Sequence, residues 1–261
     1  MGHHKILIEG IFLAAFVSEA FKNGRVRIDG NKKIYLKKIR ELSKIRVWLV
    51  DGEYIRKNIC EDFVNYDHHY HLKFIPKNEF WIAEGTDEDE IRYYIDHMLV
   101  EHRLMSKGMS FEEASAKASL AERRERGKSE IMKKLGSVRE HRKEIIDMVH
   151  KKLLKKYSGG IMVWVVDGEL VRDVFYTFFG GGGHDKVFHF IPENEIWIDQ
   201  DIHPKERKFI LIHELHERSL MAKGKDYQHS HRKATEIEDF FRHHSKGLDK
   251  IIKEEIGKQA R

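Results

Sequence analysis

The segment VWLVDGEYIR at positions 47–56 returns as VWVVDGELVR at positions 163–172. FIPKNEFWI at 74–82 returns as FIPENEIWI at 190–198, and HMLVEHRLMSKG at 97–108 returns as HELHERSLMAKG at 213–224. All three pairs stand 116 residues apart without a gap, and roughly a third of the positions in this stretch recur. The shared residues are varied in type, so low complexity does not explain the match. A repeat of this length implies one fold built twice, which licenses comparison residue by residue. The repeat divides the chain into an apolar segment (1–31), a first repeat (32–127), a charged linking helix (128–160), a second repeat (161–244) and a basic C-terminal tail (245–261).

Apolar residues at 41% suffice for packed cores, and the 35% of charged residues mixes both signs. The net charge of +5 permits contact with nucleic acid through basic helices without requiring it. The single cysteine, Cys60, excludes an internal disulfide and a thiolate zinc site, and fits a reducing, cytoplasmic setting. The apolar run from Ile6 to Val17 is interrupted by Glu9 and Gly10 and is too short to cross a bilayer, so it reads as a buried helix or packing arm.

Within the second repeat, Met162–Val166 reads as a strand, Asp167-Gly168 as a turn and Glu169–Phe175 as a returning strand. Glycines 180–183 form a loop ending at His184. Lys186–Ile191 and Glu195–Asp199 read as further strands around a turn at Pro192–Asn194. A helix follows, with Pro204 in its first turn and Gly224 at its end, and a second helix runs from about Asp226 to His244. In the first repeat Thr86 and Gly108 bound the corresponding helix, and Ser110 with Glu113 makes a capping box for the next. Lys32–Ser43 and Glu140–Tyr157 read as basic amphipathic helices ahead of the repeats, and Arg123–Arg142 as exposed charged helix. The expected class is α+β: a small antiparallel sheet followed by a helical hairpin, preceded by a basic helix.

The residues able to carry chemistry lie on that hairpin. His213 and Glu217 are four apart and share a helix face. On the next helix Tyr227, His231, Ala234 and Glu238 form a second stripe, in which the small Ala234 permits close approach. If the stripes face each other, His213, Glu217, His231 and Glu238 converge. Imidazole and carboxylate together suit zinc, with iron or manganese also admissible. His184, after the glycine run, is a candidate to touch such an ion or to hold one of its ligands.

The segment NEIWID at 194–199 followed by FILIHELHE at 209–217 resembles the edge strand and active-site helix of the zincin metallopeptidases, whose HExxH helix holds the metal. That resemblance implies a metal-dependent hydrolase of peptide or protein substrates, with His213 a ligand and Glu214 the base that takes a proton from the attacking water. The fifth position is Glu217 rather than histidine, and His231 would supply the third ligand at a spacing foreign to the standard classes. The GGH loop at 182–184, the EIWI strand at 195–198 and the HELxE helix also resemble a group of uncharacterised prokaryotic and phage proteins, which implies no activity.

The first repeat keeps His68, His97, Glu101 and Glu122 at the positions of His184, His213, Glu217 and Glu238. It has Met98 for Glu214, Val100 for His216 and Ser115 for His231. An active second copy beside a degenerate first copy accounts for the pattern. The alternative is a non-enzymatic duplicated binding or structural protein of phage type, contacting nucleic acid or a protein partner, in which each His–Glu pair is an internal hydrogen bond.

Overall fold

The chain divides between Lys133 and Lys134 into two units in the computed structural model, which describes residues 34–259 apart from 136, 137 and 139. The apolar run at 6–17 lies outside the described residues.

The first unit contains β1 (Tyr35–Leu42), β2 (Ile45–Val50), α1 (Gly52–Asn58), β3 (Tyr66–His68), β4 (Glu79–Ala83), α2 (Glu88–Met105) and α3 (Phe111–Arg126), and a short α4 (Glu130–Leu135) spans the division. Its four strands lie in the order β1-β2-β4-β3. The sheet is mixed rather than antiparallel: β1/β2 and β3/β4 are antiparallel, but β2 and β4 run parallel. All five residues of β4 are buried because both faces are covered. Phe80 and Ile82 pack with Tyr94, Ile95 and Met98 of α2, while Trp81 and Ala83 pack on the opposite face with Ile55 of α1, Phe63 and Ile75.

The second unit contains α5 (Arg142–Val149), β5 (His150–Leu153), β6 (Met162–Val166), α6 (Gly168–Val174), β7 (Gly182–His184), β8 (Glu195–Asp199), α7 (Arg207–Ala222), α8 (Tyr227–His243) and α9 (Leu248–Gln259). Its sheet order is β5-β6-β8-β7, again with the central pair parallel.

Several expectations are corrected. Lys32–Ser43 contains a strand, not a helix. Register shifts at Tyr35/Lys37 and Lys38/Arg40 insert extra residues, so apolar positions recur at threes, which mimics a helical period. Glu140–Tyr157 is a helix only to Val149, then a strand paired with β6, then a single 3-10 turn at Lys155–Tyr157. Asp167-Gly168 opens a helix, not a hairpin. The Asp167 side chain accepts the Leu170 N–H at 3.0 Å, and Asp51 does the same for Tyr54 at 2.8 Å. The residues read as a strand at Glu169–Phe175 are therefore mostly helical.

Lys186–Ile191 is a series of turns, with Val187 and Phe188 N–H both bonded to the His184 carbonyl. Glu206, not Pro204, stands at the start of α7, and Asp87, not Thr86, at the start of α2; the Thr86 hydroxyl instead bonds the Ala83 carbonyl. The Arg123–Arg142 run is not uniformly exposed, because Arg126 is fully buried. Residues after 245 are not a tail: α9 buries Leu248 and Ile252 against Leu211, Ile212 and Leu215 of α7. No helix among the described residues is long and apolar enough to cross a membrane.

Candidate metal centre

α7 and α8 form an antiparallel hairpin joined through Gly224, whose φ of 82° needs no Cβ. Asp226 caps α8 by accepting the His229 N–H at 2.8 Å. Ala234 is fully buried. His213 and Glu217 of α7 and His231 of α8 come together as the two stripes required: their donor atoms are placed so that they can share one metal ion. His213 Nε2 lies 3.2 Å from His231 Nδ1 and 3.5 Å from Glu217 Oε2, and His231 Nδ1 lies 3.7 Å from the same oxygen. Four ligands at zinc bond lengths stand roughly 3.3 Å apart along the edges of a tetrahedron. The triangle formed by these three atoms is close to one face of it.

The rest of the hairpin holds His213 in place. Its Nδ1–H donates to Glu238 Oε2 at 2.8 Å, which leaves the Nε2 lone pair directed at the cluster when the ring is neutral. Glu238 is in turn fixed by Arg242, whose Nε and Nη2 donate to Oε1 at 3.0 and 2.7 Å. Arg242 Nη1 donates to Glu206 at 2.6 Å. Glu238 thus holds the His213 ring from behind rather than joining the donor triangle. The chain His–Glu–Arg–Glu recurs in the first unit: His97 Nδ1 to Glu122 at 2.7 Å, Arg126 to Glu122 at 2.7 Å, and Arg126 to both oxygens of Glu90 at 2.7 and 3.0 Å.

Sequence reasoning missed Arg242 and Glu206, with their counterparts Arg126 and Glu90. The signal was available, because both pairs are identical at the spacing of 116. They do not stand out from composition, because a charged run on a helix usually faces solvent.

Electrostatics follow from this packing. Burial works against a charged His213, but Glu217 and Glu238 outweigh it and hold its pKa well above the ordinary value. Burial would raise Glu217 and Glu238, but bonds from His213, His231 and Arg242 hold both low. Glu214 lacks such bonds, and its pKa is pushed up to about 8, first by burial and further by Glu217 and Glu238 against the pull of His213. Burial also pushes His184 down to about 4, so its ring is neutral near pH 7.

Glu214 leans on the glycine run. A Cβ on Gly182 would meet Ile210 Cγ2 at 2.7 Å, the Trp197 carbonyl at 3.0 Å and Glu214 Cγ at 3.2 Å. In the first unit Tyr66 stands at that position and Met98 replaces Glu214. His184, Glu214 and Glu217 make a second group of converging donors that shares Glu217 with the first. Two buried atoms here lack a hydrogen-bond partner, His184 Nε2 and Glu217 Oε1. Unpartnered polar atoms at the meeting point of three ligand-type side chains fit a bound cation and its oxygen ligands. His216 turns away and bonds Glu255 of α9 at 3.0 Å.

In the first unit two imidazoles approach the equivalent carboxylate. Glu101 takes His97 at 3.3 Å on one oxygen and His68 at 3.2 Å on the other, the latter short but poorly aligned. Ser115 is buried and provides no imidazole. Among the described residues, both groups of donors close enough to share an ion lie in the second unit. Comparison of the chain with family models, curated proteins and solved structures gave no match.

Proposed function

We propose that the chain is a tandem duplication whose second unit is a metal-dependent hydrolase, peptidase-like in its chemistry, and whose first unit keeps the scaffold without the site. The observation that carries this reading is the spacing of His213 Nε2, His231 Nδ1 and Glu217 Oε2 at 3.2, 3.5 and 3.7 Å. His213, His231 and Glu217 would hold the ion, zinc by preference, with iron or manganese compatible with the same donors. A divalent ion there supplies Lewis acidity and lowers the pKa of a water it binds.

The remaining roles fall to the chain itself. Glu238 and Arg242 fix the His213 ring. Glu214 takes the proton of the attacking water. Burial and the neighbouring carboxylates raise its pKa to about 8, which holds it protonated at neutral pH, and a cation beside it lowers that value and frees the carboxylate to accept a proton. The first unit lacks both the base and the second imidazole, so it holds its His–Glu pair as internal structure.

The test is cleavage of a mixed peptide pool, read by mass spectrometry, with and without added zinc. Glu214→Gln should abolish zinc-dependent cleavage while zinc binding persists. Cleavage that survives this substitution, or an absence of zinc-dependent cleavage in the unaltered chain, would overturn the assignment.

A further inference from the structure

His184 comes from β7, is fully buried, and points its Nε2 at the donor cluster, 3.8 Å from Glu217 Oε2. Its proximity to Glu214 and Glu217 suggests a fourth metal ligand. The other ring nitrogen argues against that. His184 Nδ1 accepts the backbone N–H of Lys186 at 3.2 Å, so this nitrogen carries the lone pair. In a neutral imidazole the proton must then sit on Nε2, and a protonated nitrogen cannot ligate a metal.

The same backbone bond recurs in the first unit, where His68 Nδ1 accepts the Tyr70 N–H at 3.2 Å. There Nε2 lies 3.2 Å from Glu101. His213 is set the opposite way, with Nδ1 protonated toward Glu238. The fold therefore prepares one histidine to ligate and the other to donate.

Resting on the metal reading above, we propose that His184 is a hydrogen-bond donor to an oxygen of the reacting ligand, not a fourth ligand. Its Nε2–H lies beside the Glu217 carboxylate, 3.8 Å from Oε2, and the other oxygen of that carboxylate, Oε1, is likewise buried and unpartnered. A buried N–H without a partner is costly, on the order of 1–3 kcal/mol. An oxygen bound among His213, His231 and Glu217 removes that cost. A donor at this point serves an oxygen on which negative charge develops, such as the carbonyl oxygen of a peptide or ester.

The experiment uses the full chain with 15N-labelled histidines and reads the side-chain tautomers by long-range proton–nitrogen correlation, with His184→Gln identifying the His184 signals. His184 should carry its proton on Nε2 both without metal and with zinc. A proton on Nδ1, or an Nε2 signal that moves to the metal-bound range on adding zinc, overturns the proposal. Acetate serves as the oxygen probe for the zinc-loaded chain. Its affinity should fall about tenfold in His184→Ala, the equivalent of one hydrogen bond, and return in His184→Gln, whose amide N–H sits near the Nε2 position. Equal acetate affinity in the unaltered chain and His184→Ala also overturns it. A chain that binds no zinc defeats the metal reading and the donor role with it, whereas the tautomer in the metal-free chain shows whether His184 itself was misassigned.

Discussion

Replacing Arg242 by methionine tests whether the hairpin is a support for His213 or merely a packed pair of helices. Arg242 is 4% exposed and lies between two buried carboxylates, Glu238 and Glu206, with bonds of 2.6 to 3.0 Å. Methionine fills much of the volume but leaves both carboxylates without their cation. Removing one partner of a buried ion pair costs about 3–5 kcal/mol. For a unit the size of residues 134–261, that lowers the melting temperature by roughly 10–20 °C.

A second effect is expected on the site. Glu238 relaxes, the hydrogen bond to His213 Nδ1 loosens, and zinc affinity falls about 10- to 100-fold, as for loss of other partners behind metal ligands. Arg126→Met makes the same cut in the first unit, where Arg126 binds Glu90 and Glu122. It should destabilise to a similar degree and leave zinc affinity unchanged. Circular dichroism melts and competition with a chromophoric zinc chelator read the two effects separately. A melting shift below about 3 °C for Arg242→Met refutes the buried-network account. An equal loss of zinc affinity in both variants refutes the link from Arg242 to the site.

Two further outcomes follow from the geometry. Burial lowers the His97 pKa, but Glu101 and Glu122 reverse this and raise it to about 9. Its protonated ring therefore contributes stability that is fully present below about pH 6.5 and is lost as pH rises through about 9, on the order of 3 kcal/mol. Denaturant midpoints of the unaltered chain should fall over that window, and His97→Gln should flatten the fall; parallel curves would contradict the assignment. Gly182→Ala places a methyl against Ile210 and the Trp197 carbonyl. It should cost about 1–3 kcal/mol and displace Glu214, lowering the hydrolytic rate while zinc affinity holds. A variant with unchanged stability and rate would show that the glycine run does not shape the site.

The hairpin was legible in the sequence because both of its signals are local. Four-residue spacing puts His213 with Glu217, and Ala234 marks where helices can approach. The sheet was less legible. β1 carries two irregularities that imitate a helical period, and an Asp-Gly pair that often closes hairpins here caps α1 and α6. The parallel pairing of β6 with β8 depends on a crossover through α6, which residue spacing alone does not reveal. At the site, convergence of His213, Glu217 and His231 could be reasoned from the two helix faces. The roles of Glu238 and His184 could not, because each depends on which imidazole nitrogen a partner engages. Arg242 and Arg126 were hidden by composition, since a charged run gives no sign that one member turns inward to two carboxylates.

The most direct measurement is zinc content of the full chain after equilibrium dialysis against a weak competing chelator, by elemental mass spectrometry. One zinc ion per chain is expected, lost in His213→Ala, His231→Ala and Glu217→Ala and retained in His97→Ala and Glu101→Ala. A chain that holds no zinc, or one that holds it equally well after Glu217→Ala, contradicts the claim that these three side chains form a metal centre.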